Sequence, residues 1–227
     1  MSSPSQRGGL AAAARTLSRL GMVTAFGHVS ARSDSSMLIT PAVDLADVTE
    51  ADLVEVALSS STLPVGAPAE AWAHLALYRS RPDAQSVARA QPAAAFTASV
   101  ATSDIPPLYG QAAWLGASVH VHDSAHLLRT AERAAAAAAS MSVGEALLLR
   151  GNGALTLGAS PGVAVTRMWL LDRLCAAWLL AKAAGDITAL TAEEIASWRG
   201  VGEELLPRLW QHLSRAGQSP NHQWETA

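Results

Sequence analysis

The chain has 227 residues, half of them apolar, which is enough to bury the core of one substantial domain and does not require a second. Its formal net charge is -3, from 16 Lys+Arg and 19 Asp+Glu without a basic run, and this excludes a strong electrostatic attraction to nucleic acid or to an anionic membrane. The expected partner is therefore a small, roughly neutral molecule or another protein.

Three features of the sequence bear on where the protein resides. The one cysteine, Cys175, cannot form an intrachain disulfide, which is typical of a reducing compartment. Arg15 and Arg19 interrupt the alanine-rich N-terminal stretch, so a helix is expected there and not an export signal. Four charged residues interrupt the apolar stretch 163–184, which indicates a packed helix and not a membrane span. The predicted location is the cytoplasm.

The pattern of apolar residues predicts a helix over 6–20 that ends at Gly21, then turn-rich residues at 27–30 and a strand at 37–40. Pro68 opens a helix over 70–78. The other predicted elements, in chain order, are a strand over 53–58, a strand over 85–90, a helical segment over 92–100, a strand over 118–122, a helix over 124–140, short strands over 145–149 and 154–157, and helices over 161–184 and 191–214. This order indicates one α/β domain over 1–216 and a flexible tail over 217–227.

Four stretches resemble the class II aldolase/adducin family: LSRLGMVTAFGHVSAR at 17–32, MLITPAVDLADVTEADLV at 37–54, EAWAHLALYRSRPD at 70–83 and ALLLRGNGALTLG at 146–158. Their order and spacing extend the resemblance over roughly residues 7–200. It implies a three-layer α/β/α domain around a central, mostly antiparallel sheet. It also implies a homo-oligomer, since most of the family form rings of four.

Members of this family hold a divalent metal with three histidines, two from a His-x-His strand and one from an Asn-His-Gly turn. We place these positions at Ala88 and Ala90 on the strand and at Asn152 in the turn. Because alanine has no donor atom and asparagine is a poor zinc ligand, the resemblance predicts a member without the family's metal and with no cofactor in its place. Strand alternation points Arg89 to the face opposite the two alanines, where we expect an ion pair or a subunit contact.

The phosphate pocket of the sugar-phosphate branch has lost most of its donors in this chain. Its Gly-Asn-x-Ser turn becomes Gly27-His28-Val29-Ser30, its Thr-Gly pair becomes Ala42-Val43, and its two serines become Pro68-Ala69. A phosphorylated sugar is therefore not the expected substrate, and a rather apolar, non-phosphorylated molecule is.

The family's acid/base residue corresponds to Glu70, which we expect, without a metal cation beside it, to act as a general acid or base in apolar surroundings. His28 is the second candidate catalytic residue, because it replaces a pocket asparagine and can move a proton. The candidate substrate-binding residues are Asn152, Arg150, His74 and Arg89. Each candidate also has a structural interpretation: a solvated carboxylate in a first helical turn, a loop histidine, a turn asparagine, a packed histidine or a paired arginine.

Two functions of different class follow from these residues. The first is a metal-independent lyase-type enzyme for retro-aldol cleavage, decarboxylation, dehydration or a related isomerisation or cyclisation, in bacterial specialised metabolism. The second is a non-catalytic, adducin-like scaffold. A third possibility is a metal-dependent lyase with relocated ligands, either His28 or the pair His120 and His122 on one strand face. Convergence of Glu70, His28 and Asn152 on a concave site would favour an enzyme.

Overall fold

The computed structural model describes residues 4–215, and its middle layer is a sheet of eight strands. The strands are β1 (His28–Ser33), β2 (Ser36–Ile39), β3 (Val54–Ala57), β4 (Ser86–Ala90), β5 (Asp104–Ile105), β6 (Val119–His122), β7 (Ala146–Leu149) and β8 (Ala154–Gly158). Their order across the sheet is β3-β2-β1-β4-β8-β7-β6-β5. All neighbouring pairs are antiparallel except β6 and β7, which are parallel, so the predicted mostly antiparallel sheet is confirmed.

Helices cover both faces of this sheet. They are α1 (Pro4–Arg19), α2 (Ala71–Ser80), α3 (Ala93–Ser99), α4 (Ala131–Met141), α5 (Pro161–Ala184), α6 (Ala192–Gly200) and α7 (Gly202–Arg215), together with a 3-10 helix at Gly110–Leu115. One core joins α1, α3 and α5 to one face of the sheet, and a second core joins α2 and α4 to the other. The predicted three-layer α/β/α arrangement is therefore confirmed.

Most predicted elements form, and the exceptions have local causes. Residues 28–33, predicted in part as a turn, form strand β1 inside the sheet, where His28 and Ser30 are buried on the face toward α2. The helix predicted over 124–140 begins only at Ala131, because Thr130 caps it through a bond from the Arg133 amide. The helix predicted over 191–214 is divided into α6 and α7 at Val201.

Two further predictions concern a membrane span and the end of the chain. Within residues 4–215, no helix is long and apolar enough to cross a membrane. The tail predicted over 217–227 lies outside the described residues.

Candidate active site

Helix α2 presents a polar stripe to the sheet. Glu70 stands at its N-terminal boundary, where its carbonyl accepts a hydrogen bond from the Ala73 amide, and His74 and Tyr78 follow at intervals of four residues. Residues four apart share one side of a helix, so these three side chains all point the same way. His74 and Tyr78 are buried, and the Glu70 side chain is 14% exposed.

The strands beneath this stripe supply its partners. In the register of β1 and β4, His28 lies directly opposite Arg89 and Ser30 lies opposite Val87. Since side chains alternate between the two faces of a sheet, His28, Ser30 and Arg89 all project toward α2. The buried polar residues of β1, β4 and α2 therefore meet in one layer.

The tight turn between β7 and β8 brings Asn152 to the same place. Gly153 has a φ of +80°, and a Cβ atom there would collide with the carbonyl oxygen of Ala90. Only glycine allows the turn to approach the end of β4 this closely. The approach places the Asn152 side chain against Arg89. Asn152 as a whole residue is 7% exposed.

Arg89 is the centre of the cluster. Its Nη2 donates to Asn152 Oδ1 at 3.0 Å, its Nη1 donates to the Ala90 carbonyl at 2.7 Å, and its Nε lies 3.5 Å from Glu70 Oε2. The side chain is 1% exposed. A buried guanidinium keeps its charge only where carboxylates and carbonyls compensate for lost water, and these three groups do so.

This geometry corrects two expectations about β4. Ala88 and Ala90, where we placed the family's strand ligands, belong to the core under α1, α3 and α5, on the face away from Glu70. Arg89, which alternation was expected to point away from the site, points into it. Glu70 was expected to have no cation beside it, and that expectation is also wrong, because the Arg89 guanidinium is its neighbour.

A second hydrogen-bonded group lies deeper along the same stripe. Ser30 Oγ lies 2.7 Å from His74 Nδ1 and 2.8 Å from the Tyr78 hydroxyl, and all three residues are buried. Sequence reasoning selected neither Ser30 nor Tyr78. A signal was present, because Ser30 follows His28 by two residues and Tyr78 follows His74 by four, so each shares a face with a selected histidine.

Burial and Arg89 decide the charge state of the two histidines. Burial, assisted by the nearby Arg89 charge, lowers the pKa of His28 from 6.5 to about 4, although the backbone at Thr40 and Pro41 acts in the opposite direction. The pKa of His74 is also well below 6.5, because of burial first, and then because a proton on His74 would be repelled by Arg89 and by any proton on His28. Both rings are therefore neutral at pH 7, and Arg89 is the cation of the cluster.

Several buried polar atoms of the cluster have no hydrogen-bond partner in the described part of the chain: Glu70 Oε1, Asn152 Nδ2, His28 Nδ1, His74 Nε2 and Arg89 Nε. The orientation of Asn152 follows from its contact, because only its oxygen can accept from Arg89 and its amide nitrogen must then face elsewhere as a donor. Native proteins seldom bury so many unpaired groups together without a ligand or water to satisfy them. A molecule entering here would meet one carboxylate acceptor and several donors.

The structure does not bring every candidate into this cluster. Arg150 is 46% exposed and forms an ion pair with Asp123 at 2.6 Å. His120 is exposed, and His122 Nδ1 lies 2.9 Å from Ser140 Oγ. The substrate-binding role of Arg150 therefore has no contact with Glu70 or Arg89 to support it.

The metal that the resemblance implies does not fit the side chains that are present. Where a ligand would be needed next to Glu70 and Asn152, the chain places the Arg89 guanidinium, which has no lone pair to donate and repels a cation. Between residues 4 and 215, no group of three or more His, Cys, Asp or Glu side chains is arranged to hold a metal ion, and this includes the pair His120 and His122.

Three exposed apolar side chains lie close in the chain to residues of the cluster or beside the turn that holds Asn152. Phe26 is 66% exposed just before His28, Val43 is exposed just after the Pro41 backbone that faces His28, and Val100 is exposed beside Gly151. A cavity of about 650 Å³ lies elsewhere, between the far ends of β4 and β8 and helices α5 to α7, and none of the predicted site residues lines it. Glu70, His28 and Asn152 converge around Arg89, away from this cavity.

Comparisons with known proteins agree with this fold. Residues 9–179 match the family described as the class II aldolase and adducin N-terminal domain. A 3,4-dihydroxyphthalate decarboxylase of Terrabacter sp. (strain DBF63) is 32% identical over 231 residues, which cover 92% of this chain and 95% of that protein.

Solved structures show the same likeness. An L-fuculose 1-phosphate aldolase superposes with a TM-score of 0.82 at 23% identity, covering 89% of this chain and 98% of its own. The l-fuculose-1-phosphate aldolase of Thermus thermophilus gives a TM-score of 0.73 at 28% identity, covering 82% and 100%. The predicted fold is confirmed, and these relatives are lyases, as predicted.

Proposed function

Because the chain belongs to the class II aldolase/adducin family, we propose that it is a lyase of the decarboxylase type that works without a divalent metal. Its substrate would be a small, non-phosphorylated hydroxy acid with an apolar body. The observation that carries the proposal is the buried Arg89 guanidinium held between Glu70 and Asn152. The Terrabacter relative, named as a decarboxylase of a dihydroxylated aromatic acid, supports the choice of reaction.

Arg89 supplies the fixed positive charge that such a reaction needs. When the bond to the carboxylate carbon breaks, CO2 leaves and the electron pair remains on the substrate, delocalised onto an oxygen. A guanidinium that is 1% exposed and already oriented by Asn152 stabilises that negative charge without solvent reorganisation. The low local dielectric strengthens the interaction.

Glu70 moves the proton in this proposal. One carboxylate oxygen, Oε2, faces Arg89, and the other, Oε1, is buried without a partner and available to a substrate hydroxyl. Before CO2 leaves, Glu70 would take the proton of the neighbouring hydroxyl and deliver it to the carbon that carries the carboxylate, so that the hydroxyl oxygen becomes a carbonyl. When the bond to CO2 then breaks, its electron pair moves onto that oxygen, which finally takes a proton from solvent. His28 and the Asn152 amide would bind substrate oxygens beside it, while Arg150 would contribute only at the periphery.

The surroundings support a substrate with an apolar body. Phe26 and Val43 are exposed close in the chain to His28 and to the Pro41 backbone beside it, and Val100 is exposed next to Gly151, so we take these three side chains as an apolar rim of the site. An isolated chain gains nothing from exposing such a rim, so we propose that substrate and a second subunit cover it in a homo-oligomer. A cytoplasmic location and a role in bacterial specialised metabolism complete the proposal.

The decisive assay is turnover of 3,4-dihydroxyphthalate and related hydroxybenzoates by the purified protein, with CO2 release and product mass measured with and without EDTA. We expect turnover that EDTA leaves unchanged. Glu70→Gln should lower kcat at least about 100-fold, the usual contribution of a positioned acid or base. Glu203→Gln, an exposed carboxylate on α7, is the matched control and should change nothing.

Each contrary result has a distinct meaning. Activity lost to EDTA and restored by a metal would return the protein to the metal-dependent lyases. No turnover of any hydroxy acid, together with normal folding of Glu70→Gln, would favour the adducin-like scaffold. Turnover to an aldehyde or ketone fragment without CO2 would keep the lyase and reject decarboxylation.

A further inference from the structure

The cavity of about 650 Å³ lies at the end of β4 and β8 that is remote from the candidate active site. Ala84 and Gly158 line it, and Arg89 lies five residues beyond Ala84, or about 15 Å along an extended chain. Binding sites for small molecules usually have volumes of about 300–1,000 Å³. The cavity is therefore large enough to hold a ligand of its own.

The lining of this cavity combines apolar and charged side chains. Among the apolar ones are Leu157 from β8, Val163 from α5 and Leu206 from α7. The charged ones are Asp83, Glu145, Arg167, Arg199 and Glu203. A molecule that fills the cavity would therefore need an apolar body and a charged group.

Arg167 has donors that the chain leaves unpaired. Its Nη1 donates to Glu145 Oε2 and to the Leu157 carbonyl, both at 2.9 Å. Its Nε is buried and, like its Nη2, forms no hydrogen bond within residues 4–215. The Nε–H and one Nη2–H of a guanidinium lie parallel on one edge, and this edge binds a carboxylate through two hydrogen bonds.

The other charges of the lining differ in whether they have partners. Arg81 pairs with Asp83 at 2.7 Å and lies 3.7 Å from Glu145, which Arg167 also pairs. Arg199 and Glu203 are exposed and form no ion pair in the part of the chain that the structure describes.

The arginines act on one another across this region. Burial lowers the pKa of Arg167, Glu145 raises it, and the charges of Arg199 and Arg81 lower it further. A bound anion would offset the repulsion between these cations.

We propose that this cavity binds a small monocarboxylate with an apolar body, whose carboxylate is held by the Nε–Nη2 edge of Arg167 and by Arg199. The body packs against Leu157, Val163 and Leu206. Helix α5 begins at the cavity without an acidic residue in its first turn, so the positive end of its dipole also favours an anion. The carboxylates of the lining repel a doubly charged anion such as phosphate.

This second site goes beyond the proposed lyase activity and does not depend on it, since none of the candidate active-site residues lines the cavity. Its tests therefore measure binding and not turnover.

Calorimetric titration of the full chain with 1-naphthylacetate measures the affinity, and 1-naphthylacetamide is the matched uncharged probe. We expect the carboxylate to bind at least about tenfold more tightly than the amide, because hydrogen bonds to an ionised group are the stronger ones. Inorganic phosphate should bind more weakly than the carboxylate. Equal affinity for the two naphthyl probes, tighter binding of phosphate, or no binding of 1-naphthylacetate would overturn the proposal.

Fluorine NMR of the chain labelled with 5-fluorotryptophan locates the probe. Trp114 lines the cavity, whereas Trp72 packs against the core on the α2 side of the sheet. The Trp114 resonance should shift during the titration and the Trp72 resonance should not. A Trp114 resonance that responds to protein concentration but not to the probe would assign the cavity to a contact between copies, and the proposal would be wrong.

Three variants test the residues that hold the carboxylate. Arg167→Lys keeps the charge beside Glu145 but loses the two-donor edge, and should weaken binding of 1-naphthylacetate about tenfold. Arg199→Gln removes an exposed charge and should weaken binding about threefold. Ala159→Phe enlarges an exposed side chain of the lining and should weaken binding more than about tenfold by filling the cavity.

Arg133→Gln, an exposed arginine on α4 outside the lining, is the matched control and should leave the affinity unchanged. Arg199→Gln and Ala159→Phe alter exposed residues, so they keep the test valid even if Arg167→Lys does not fold. Affinity equal to that of the control in both of these variants would show that the carboxylate binds elsewhere.

Discussion

At the residue scale, the main feature of this protein is an arginine buried in a layer that also contains two neutral histidines and a carboxylate. Arg89 compensates Glu70 at 3.5 Å and is itself held by Asn152 and the Ala90 carbonyl. A buried ion pair does not by itself show that evolution favoured stability, because its desolvation cost is large. The position of the Arg89–Glu70 ion pair beside Asn152 is better explained by a role in catalysis than by a role in stability.

The ion pair makes a quantitative prediction about stability. Arg89→Met leaves the Glu70 carboxylate without its cation and Asn152 Oδ1 without its donor, and should lower the free energy of unfolding by about 3–5 kcal/mol. The double variant Arg89→Met with Glu70→Gln should recover part of that loss, because the uncompensated charge is gone. Urea unfolding measures both.

The control is Arg133→Met on the exposed side of α4, which should change the free energy of unfolding by no more than about 0.5 kcal/mol. If Arg89→Met were as mild as this control, Arg89 would be an ordinary solvated side chain and the fixed-charge role would be wrong.

The lowered pKa of His28 predicts how stability depends on pH. Between pH 6.5 and about 4 the unfolded chain binds a proton at this position and the folded chain does not, so acid favours unfolding. Stability should fall as pH drops through this range, by about 3 kcal/mol from His28 alone, and then level off. The lowered pKa of His74 adds to this loss of stability in acid.

Measurements of the free energy of unfolding from pH 7 to pH 4 test this in the protein and in His28→Asn, which has no titrating ring. The variant should show a shallower decline over the range. His120→Asn, an exposed histidine on β6, should retain the full decline. Equal slopes in all three proteins would mean that His28 is solvated in the folded state.

At the element scale, strands and helices built from largely apolar runs could be predicted from the sequence, and those with buried polar residues could not. The strand over 37–40 and the helix over 161–184 are predictable because each is a largely apolar run of suitable length. Strand β1 is not, because His28 and Ser30 are polar but buried, a combination that exists only once α2 lies over them.

The candidate site shows the same division. Glu70, His28 and Asn152 could be selected because each replaces or retains a residue of a family motif. The orientation of Arg89 could not, because a one-residue difference in where the motif is placed on β4 reverses the face to which every side chain points. Only the pairing of β1 with β4, in which His28 lies opposite Arg89, shows which face of the sheet Arg89 occupies.

The turn between β7 and β8 gives a prediction at this scale. Gly151 and Gly153 both have positive φ, so alanine should cost about 1–2 kcal/mol at either position. At Gly153 the new Cβ would also collide with the Ala90 carbonyl and approach Arg89, whereas at Gly151 the nearest atom is a Val100 methyl at 3.9 Å. Gly153→Ala should therefore cost about 1–3 kcal/mol more and move Asn152 off Arg89.

Thermal and urea unfolding compare the two alanine variants, and turnover of the hydroxy acid reports on the position of Asn152. Gly151→Ala should retain most activity and Gly153→Ala should lose most of it. Similar stability and activity in the two variants would mean that the close approach of the turn to β4 is not required.

At the scale of the whole molecule, two cores hold the sheet from opposite sides, and the polar layer lies within only one of them. The core under α1, α3 and α5 is apolar where it meets β4, at Ala88 and Ala90. The face under α2 combines apolar residues such as Val87 and Leu155 with the polar stripe. The polar residues of the site therefore lie on one face of the sheet, and the core on the other face contains none of them.

That separation leads to the last prediction, which concerns metal ions and the stability of the entire chain. A ligand that binds only the folded state raises Tm by mass action, so a resident divalent metal would be seen as a higher Tm in its presence and a lower one in EDTA. Here the Arg89 charge occupies the place between Glu70 and Asn152, and a cation would be repelled from it.

We expect Tm to be the same in EDTA and in micromolar Zn²⁺, Mn²⁺ or Fe²⁺, and elemental mass spectrometry to find far less than one metal per chain. A stoichiometric metal with a matching rise in Tm that persists in Arg89→Met would locate a site elsewhere, whereas a rise that appears only in Arg89→Met would show that the guanidinium is what keeps the metal out.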